Sequence, residues 1–138
     1  LAKMIVRDGE GATKLVEIKV IGAGDFEQAK VVARTVATSS LVKTAFFGED
    51  ANWGRIIAAV GYAGVEIRPE KIDILFDEVL VAQGGLYAGP HVEELATEVL
   101  QKPEFCVTIN LHQGEGSASY FTSDLTYDYV KINADYRS

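Results

Sequence analysis

The chain has 138 residues and a net charge of −7, from 13 Lys+Arg against 20 Asp+Glu; 48% of the residues are apolar, 24% are charged and 3 are proline. That length and balance suit one globular unit, or a piece of one, with enough apolar residues to bury a core, and they exclude a low-complexity or disordered chain. The basic residues stand singly and form no stripe, which disfavours nucleic acid as a partner, and no uncharged apolar run reaches the roughly 18 residues that a membrane span needs.

Residues 1–6 are apolar but too few for periodicity to separate helix from strand. The sequence starts at Leu1, holds one methionine, Met4, and lacks the basic, apolar and small-residue blocks of a signal peptide, so Leu1 reads as a processing or trimming point. Arg7-Asp8-Gly9-Glu10-Gly11-Ala12 is a loop with a glutamate between two glycines. Strict alternation over residues 14–21 predicts a strand. Gly22-Ala23-Gly24 ends it, and Asp25 is expected to cap a helix running to Ala37, with Phe26, Ala29, Val32, Ala33 and Val36 on one apolar face that packs on a sheet.

Residues 41–47 are rich in branched and aromatic side chains and predict a strand. After a turn at 48–52, residues 53–62 predict a helix capped by Asp50 or Asn52. Strands are expected at 72–76 and 79–82, a loop between Gly84-Gly85 and Gly89-Pro90, and a short helix at 91–101 stopped by Pro103. Residues 104–111 and 117–122 predict a hairpin across Gln113-Gly114-Glu115-Gly116, and 124–136 a final helix. Helices and hairpins without a strict βαβ rhythm predict a single α+β unit over 1–138, a layered domain with a mostly antiparallel sheet and packed helices.

Few residues suggest chemistry by themselves. Gly22-Ala23-Gly24 resembles a dinucleotide turn, but Glu27 stands where the third glycine would be and would oppose a pyrophosphate. Ser40-Leu41-Val42-Lys43 has serine–lysine spacing, yet on a strand the two side chains would face opposite ways. His91 and His112 have no metal-ligand spacing and read as surface residues. Cys106, the one cysteine, cannot form an internal disulfide; it reads as a small buried hydrophobe in Phe105-Cys106-Val107, which fits a reducing cytoplasm. Glu10 is held where backbone can approach a ligand closely, and an ionised acid there would suit a substrate ammonium. Trp53, beside Gly54 and Arg55, reads as a packing anchor, with Arg55 paired to an acid.

Three blocks carry a family resemblance: Val6-Arg7-Asp8-Gly9-Glu10-Gly11-Ala12-Thr13-Lys14; Leu41-Val42-Lys43-Thr44-Ala45 with Gly48-Glu49-Asp50-Ala51-Asn52-Trp53-Gly54-Arg55; and Asp124-Leu125-Thr126-Tyr127-Asp128-Tyr129-Val130-Lys131-Ile132-Asn133-Ala134-Asp135-Tyr136. In this order they resemble the β-chain of bifunctional glutamate N-acetyltransferase, also called ornithine acetyltransferase, of arginine biosynthesis. The resemblance implies an N-terminal-nucleophile-type assembly that moves an acetyl group from N2-acetylornithine to glutamate, in some members also from acetyl-CoA, without metal or organic cofactor. The family's nucleophile is a threonine freed by self-cleavage to head the β-chain. Leu1 has no hydroxyl, so the resemblance implies a C-terminal portion of the β-chain with no catalytic residue of its own. It also implies substrate contacts at Glu10, Asn133 and Ser138, and partners in the α-chain and the remaining N-terminal part of the β-chain, as an α2β2 heterotetramer in which residues 104–138 pack on the partner. The competing reading is a non-catalytic amino-acid-binding or structural α+β module.

Overall fold

The computed structural model describes residues 14–124, so residues 1–13, and with them the Gly-Glu-Gly loop, and the helix expected at 124–136 beyond Asp124 lie outside the described residues. The first strand, β1, covers Leu15–Ala23, with Val16, Ile18 and Val20 fully buried on one face and Glu17 and Lys19 on the other. Helix α1 follows at Phe26–Ala37; the Asp25 carboxylate accepts the Gln28 N–H at 2.8 Å, as an N-cap must to satisfy a free donor of the first turn. Its inward stripe is Ala29, Val32, Ala33, Val36 and Ala37, whereas Phe26 is 56% exposed and lies outside that stripe. The helix lies across β1 and the last strand, β6 (Gly116–Ser123), as the apolar face required.

Residues 40–47 correct the expected strand: Ser40–Phe47 is a helix, α2. Ser39 caps it by accepting the Val42 N–H at 3.3 Å, and Val42, Ala45 and Phe46 are buried at helical spacing. Branched and aromatic composition favours strands only weakly, and here a cap plus one apolar helical face outweighs it. Helix α3, Trp53–Gly61, is capped by Asn52, whose side chain accepts the Arg55 N–H at 3.1 Å. Asn52→Ala should therefore cost about 1 kcal/mol, measurable as a lower urea midpoint with an unchanged slope, while Asn52→Asp should cost less.

Strands β2 (Asp73–Phe76) and β3 (Val79–Gln83) form the expected hairpin, turning through Asp77 at φ 52°. The expected loop at 84–90 contains a two-residue strand, β4 (Leu86–Tyr87), too short for any alternation to be legible. A 3-10 turn at Pro90–Val92 leads into α4, Glu93–Leu100, and then comes β5, Glu104–Asn110.

The sheet order is β4-β3-β2-β5-β1-β6, with β1 and β5 parallel and the other neighbours antiparallel, so the sheet is mostly antiparallel and the fold is α+β. One further expectation fails: β5 and β6 are not a hairpin, because β1 lies between them. The link at 111–115 crosses the end of β1, with Leu111 N–H donating to the Ile21 carbonyl at 3.0 Å and Gln113 N–H to the Gly22 carbonyl at 2.6 Å. Gly114 and Gly116 press on the backbone of residues 23–25 in space that a Cβ would fill. The glycines that signal a turn in the sequence serve a close crossing here.

The four helices among the described residues lie over a core built from Val16, Ile18, Val20, Ile74, Phe76, Val107 and Ile109, among others. The opposite sheet face carries Glu17, Ile21, Leu75, Cys106, Thr108 and Phe121, all half-buried.

Candidate functional site

Glu10, Asn133 and Ser138 lie outside the described residues, so the structure describes only the places from which their segments depart. Those places are neighbours. Leu15 pairs with Ser123 at the end of the β1–β6 ladder, and one step further the Lys14 N–H donates to the Asp124 carboxylate at 2.8 Å. Asp124 is 1% exposed. A carboxylate this buried persists as a charge only where hydrogen bonds and cations compensate its lost hydration.

The second family block places a charge in the same region. Burial pulls the Lys43 ammonium, on α2, below its usual lysine value, and the Asp124 carboxylate opposes that pull. The Lys14 side chain, 9% exposed, reaches Glu49 with an Nζ–Oε2 distance of 3.5 Å. Glu49 sits at φ 56°, in the turn that follows α2, and the Asp50 N–H donates back to the Ala45 carbonyl at 2.9 Å to close that turn. The Lys14–Glu49 pair is half open to water on the acid side, so it contributes well under about 1 kcal/mol and serves mainly to place the lysine.

Arg55 departs from its expected role. Its Nη1 donates to the Leu41 carbonyl at 3.0 Å and reaches the Thr44 hydroxyl at 3.5 Å, so it fastens α3 to α2 through backbone and not through an acid. Trp53 is the packing anchor expected of it: it is half-buried against the core and its ring lies parallel to Tyr87 at 6.1 Å. Burial and the neighbouring Glu93, which accepts the Tyr87 hydroxyl at 3.2 Å, push the Tyr87 phenol above its usual value. The block from Leu41 to Arg55 thus ties α2 to α3 and, through Glu49, reaches the Lys14–Asp124 corner.

The other singled-out residues stay apart from this corner. Because α2 is a helix, Ser40 and Lys43 share a face, so the geometric ground for setting that pair aside does not hold. Gly22, at φ 69°, belongs to the bulged end of β1, and Glu27 is exposed in the first turn of α1. His112 Nε2 lies 2.8 Å from Asp73 Oδ2 at the surface, and His91 is exposed. Cys106 corrects its expectation: Phe105 and Val107 turn into the core, so the alternation sends Cys106 to the opposite face, half-buried, where it lines a cavity of about 230 Å³ with Glu17, Asp77 and Phe121. Burial raises its thiol above the usual value, against a weak contact with Thr108. Among the described residues no cluster of three or more His, Cys, Asp or Glu could hold a metal ion, and no helix is long and apolar enough to cross a membrane.

Sequence reasoning missed the pairing of Lys14 with Asp124, which joins positions 110 residues apart and has no local signal.

Helices over one face of a mostly antiparallel sheet, with a second face left half-covered, define a layered α+β protein. The sequence pattern of the ArgJ family matches residues 1–138, and the chain belongs to that family. It is 65% identical over all 138 residues to the arginine biosynthesis bifunctional protein ArgJ of Syntrophotalea carbinolica and 59% identical to that of Geobacter sulfurreducens. It spans 35% of the length of each of those curated relatives. The crystal structure of the corresponding protein from Bacillus halodurans is similar with a TM-score of 0.91 and 48% identity, over 98% of this chain and 63% of that one.

Proposed function

We propose that this chain is the substrate-positioning portion of a glutamate N-acetyltransferase that moves acetyl from N2-acetylornithine to glutamate. The observation that carries the reading beyond family membership is the Lys14–Asp124 hydrogen bond. Glu10 lies four residues before Lys14 and Asn133 nine residues after Asp124. At about 3.3–3.6 Å per extended residue, both segments can reach one amino-acid-sized site from adjoining roots. Glu10 would hold an ammonium, while the Asn133 amide and the Ser138 hydroxyl would take the carboxylate or carbonyl of the same substrate.

The covalent steps belong to a threonine on sequence outside these 138 residues. Its oxygen attacks the acetyl carbonyl, the C–N bond to ornithine breaks, and the departing amine takes up the proton. The glutamate amine then attacks the acetyl-threonine ester, the C–O bond breaks, and the threonine oxygen regains a proton. Addition and elimination at one carbonyl call for no metal and no organic cofactor. What the present residues supply is orientation of the amine against that carbon. This reading puts the chain in a cytoplasmic α2β2 assembly with the rest of the same precursor, and the half-buried sheet face of Ile21, Leu75 and Phe121 is apolar enough to be covered by it.

The test is acetyl exchange between N2-acetylornithine and glutamate. The complete enzyme should catalyse it and residues 1–138 alone should not. Glu10→Gln in the complete enzyme should lower kcat/KM by about 1–3 kcal/mol, the loss expected for a charged hydrogen-bond partner. Unchanged kinetics with both substrates would take Glu10 out of the site, and ligand binding by the isolated chain with no exchange activity in the complete protein would favour a free-standing binding module.

A further inference from the structure

We propose that the cavity between segment 66–71 and the link 111–115 binds the phosphate group of a small ligand, held by Arg68, Lys71 and His112. Along the chain the basic residues stand singly, but folding brings two of them and a histidine to the wall of one cavity of about 280 Å³, which Glu66 and Gln113 complete. The walls are fastened to each other. The Gln113 side chain joins them with both ends: Oε1 accepts the Arg68 N–H at 3.1 Å and Nε2 donates to the Glu66 carbonyl at 2.9 Å. The 3-10 turn Pro69–Lys71, closed by the Lys71 N–H on the Arg68 carbonyl at 2.9 Å, keeps the two cations on one short arc.

His112 is fixed in backbone and ring. It sits at φ 53°, a left-handed conformation uncommon for a residue with a side chain, and its N–H donates to Asn110 Oδ1 at 3.0 Å. A Cβ on Gly22 would fall on that same oxygen and on the His112 backbone, so glycine at 22 belongs to the arrangement. The ring Nε2 lies 2.8 Å from Asp73 Oδ2, while Asp73 Oδ1 accepts the Gly84 N–H at 2.9 Å. A ring held at one nitrogen offers the other, Nδ1, to a ligand, and a bound anion favours the charged ring in which Nδ1 also donates. A guanidinium fork, a compact ammonium and an imidazole around one volume suit a tetrahedral oxyanion, whereas a planar carboxylate would occupy one fork. Of the two acids present, Asp73 has both oxygens engaged, and Glu66 is exposed to water at the rim. The volume falls just under the roughly 300–1,000 Å³ of ordinary ligand pockets, so the occupant is phosphate or a short phosphate ester.

The test uses the complete enzyme. Diethyl pyrocarbonate acylates accessible imidazoles, and peptide mass spectrometry follows His112, with the exposed His91 as internal control. Inorganic phosphate at about ten times its dissociation constant should slow acylation of His112 about tenfold and leave His91 unchanged; chloride or acetate at equal ionic strength should protect neither. Arg68 and Lys71 are exposed, so their replacement spares the core. Arg68→Ala and Lys71→Ala should each raise the phosphate concentration for half protection about tenfold, the loss of one charged hydrogen bond, and Lys71→Arg should recover most of it. Glycerol 3-phosphate is the second probe: protection at lower concentration than inorganic phosphate assigns the site to a phosphate ester, and at higher concentration to free phosphate. No protection by either at about 10 mM, which fills a millimolar site, overturns the proposal, as do equal protection by acetate and protection unchanged in both alanine variants. A His112 that the reagent never reaches overturns it too, because the rest of the assembly then covers the cavity. Acetyl exchange is measured in parallel: its absence beside a protected His112 sinks the functional reading alone, and its presence beside an unprotected His112 sinks the phosphate site alone.

Discussion

Replacing Phe46 by alanine is expected to destabilise the protein by about 3–5 kcal/mol, the range for emptying a fully buried aromatic site. Phe46 is 1% exposed and meets Phe105 edge to face, with ring centroids 5.4 Å apart and planes at 85°. It joins α2 to the sheet, so little around it can collapse into the gap without moving the helix. Urea unfolding of the complete protein should show a lower midpoint with an unchanged slope. Phe46→Leu, which keeps most of the volume, should recover more than half of the lost stability. A loss under about 1 kcal/mol for Phe46→Ala would mean that α2 is not locked to the sheet as the packing indicates.

Gly116→Ala is expected to cost about 3 kcal/mol, the upper end for forcing a methyl into closed space. A Cβ at this position would fall on the backbone carbonyl and Cα of Asp25, which cannot swing away as the tip of a side chain could. The obstruction reaches two features at once: the first turn of α1, which Asp25 caps, and the crossing of the 111–115 link over the end of β1. Gly61→Ala is the matching control. It lies in α3 with nothing within 4 Å of an added Cβ, so alanine there should be neutral or stabilise by up to about 1 kcal/mol. Equal effects of the two substitutions would remove the close crossing as the reason for glycine at 116.

The helix α1 and strand β1 were legible because their signals are local. Alternation over 14–21 and the three-four spacing after Asp25 each describe one face of one element, and the elements present those faces to the core. For α2 the same kind of signal was present and outweighed: Val42, Ala45 and Phe46 have helical spacing, and Ser39 is a cap, but branched and aromatic composition pointed to a strand. On a strand Ser40 and Lys43 would face opposite ways, whereas on the helix they share a face. The mistaken hairpin has a different origin. Gly114 and Gly116 signal that the backbone needs room, and they say nothing about whether the room is for a turn or for a crossing over β1.

The candidate site divides in the same way. Family words in the sequence point to Glu10, Asn133 and Ser138, while the brace of Glu49, Asn52 and Arg55 looked like a second, separate cluster until α2 and α3 packed together. By itself the sequence determined the α+β class, the cap at Asp25, a cap at Asp50 or Asn52, the apolar face of α1 and membership of a family, because each depends on residues close along the chain or on long shared blocks. Only the tertiary structure decided that Asn52 and not Asp50 is the cap of α3, that β1 runs between β5 and β6, and that the Lys14 N–H meets the buried Asp124 carboxylate. Strand order and buried charge pairing depend on which distant surfaces exclude water together, and that is a property of the packed chain with no counterpart in local spacing.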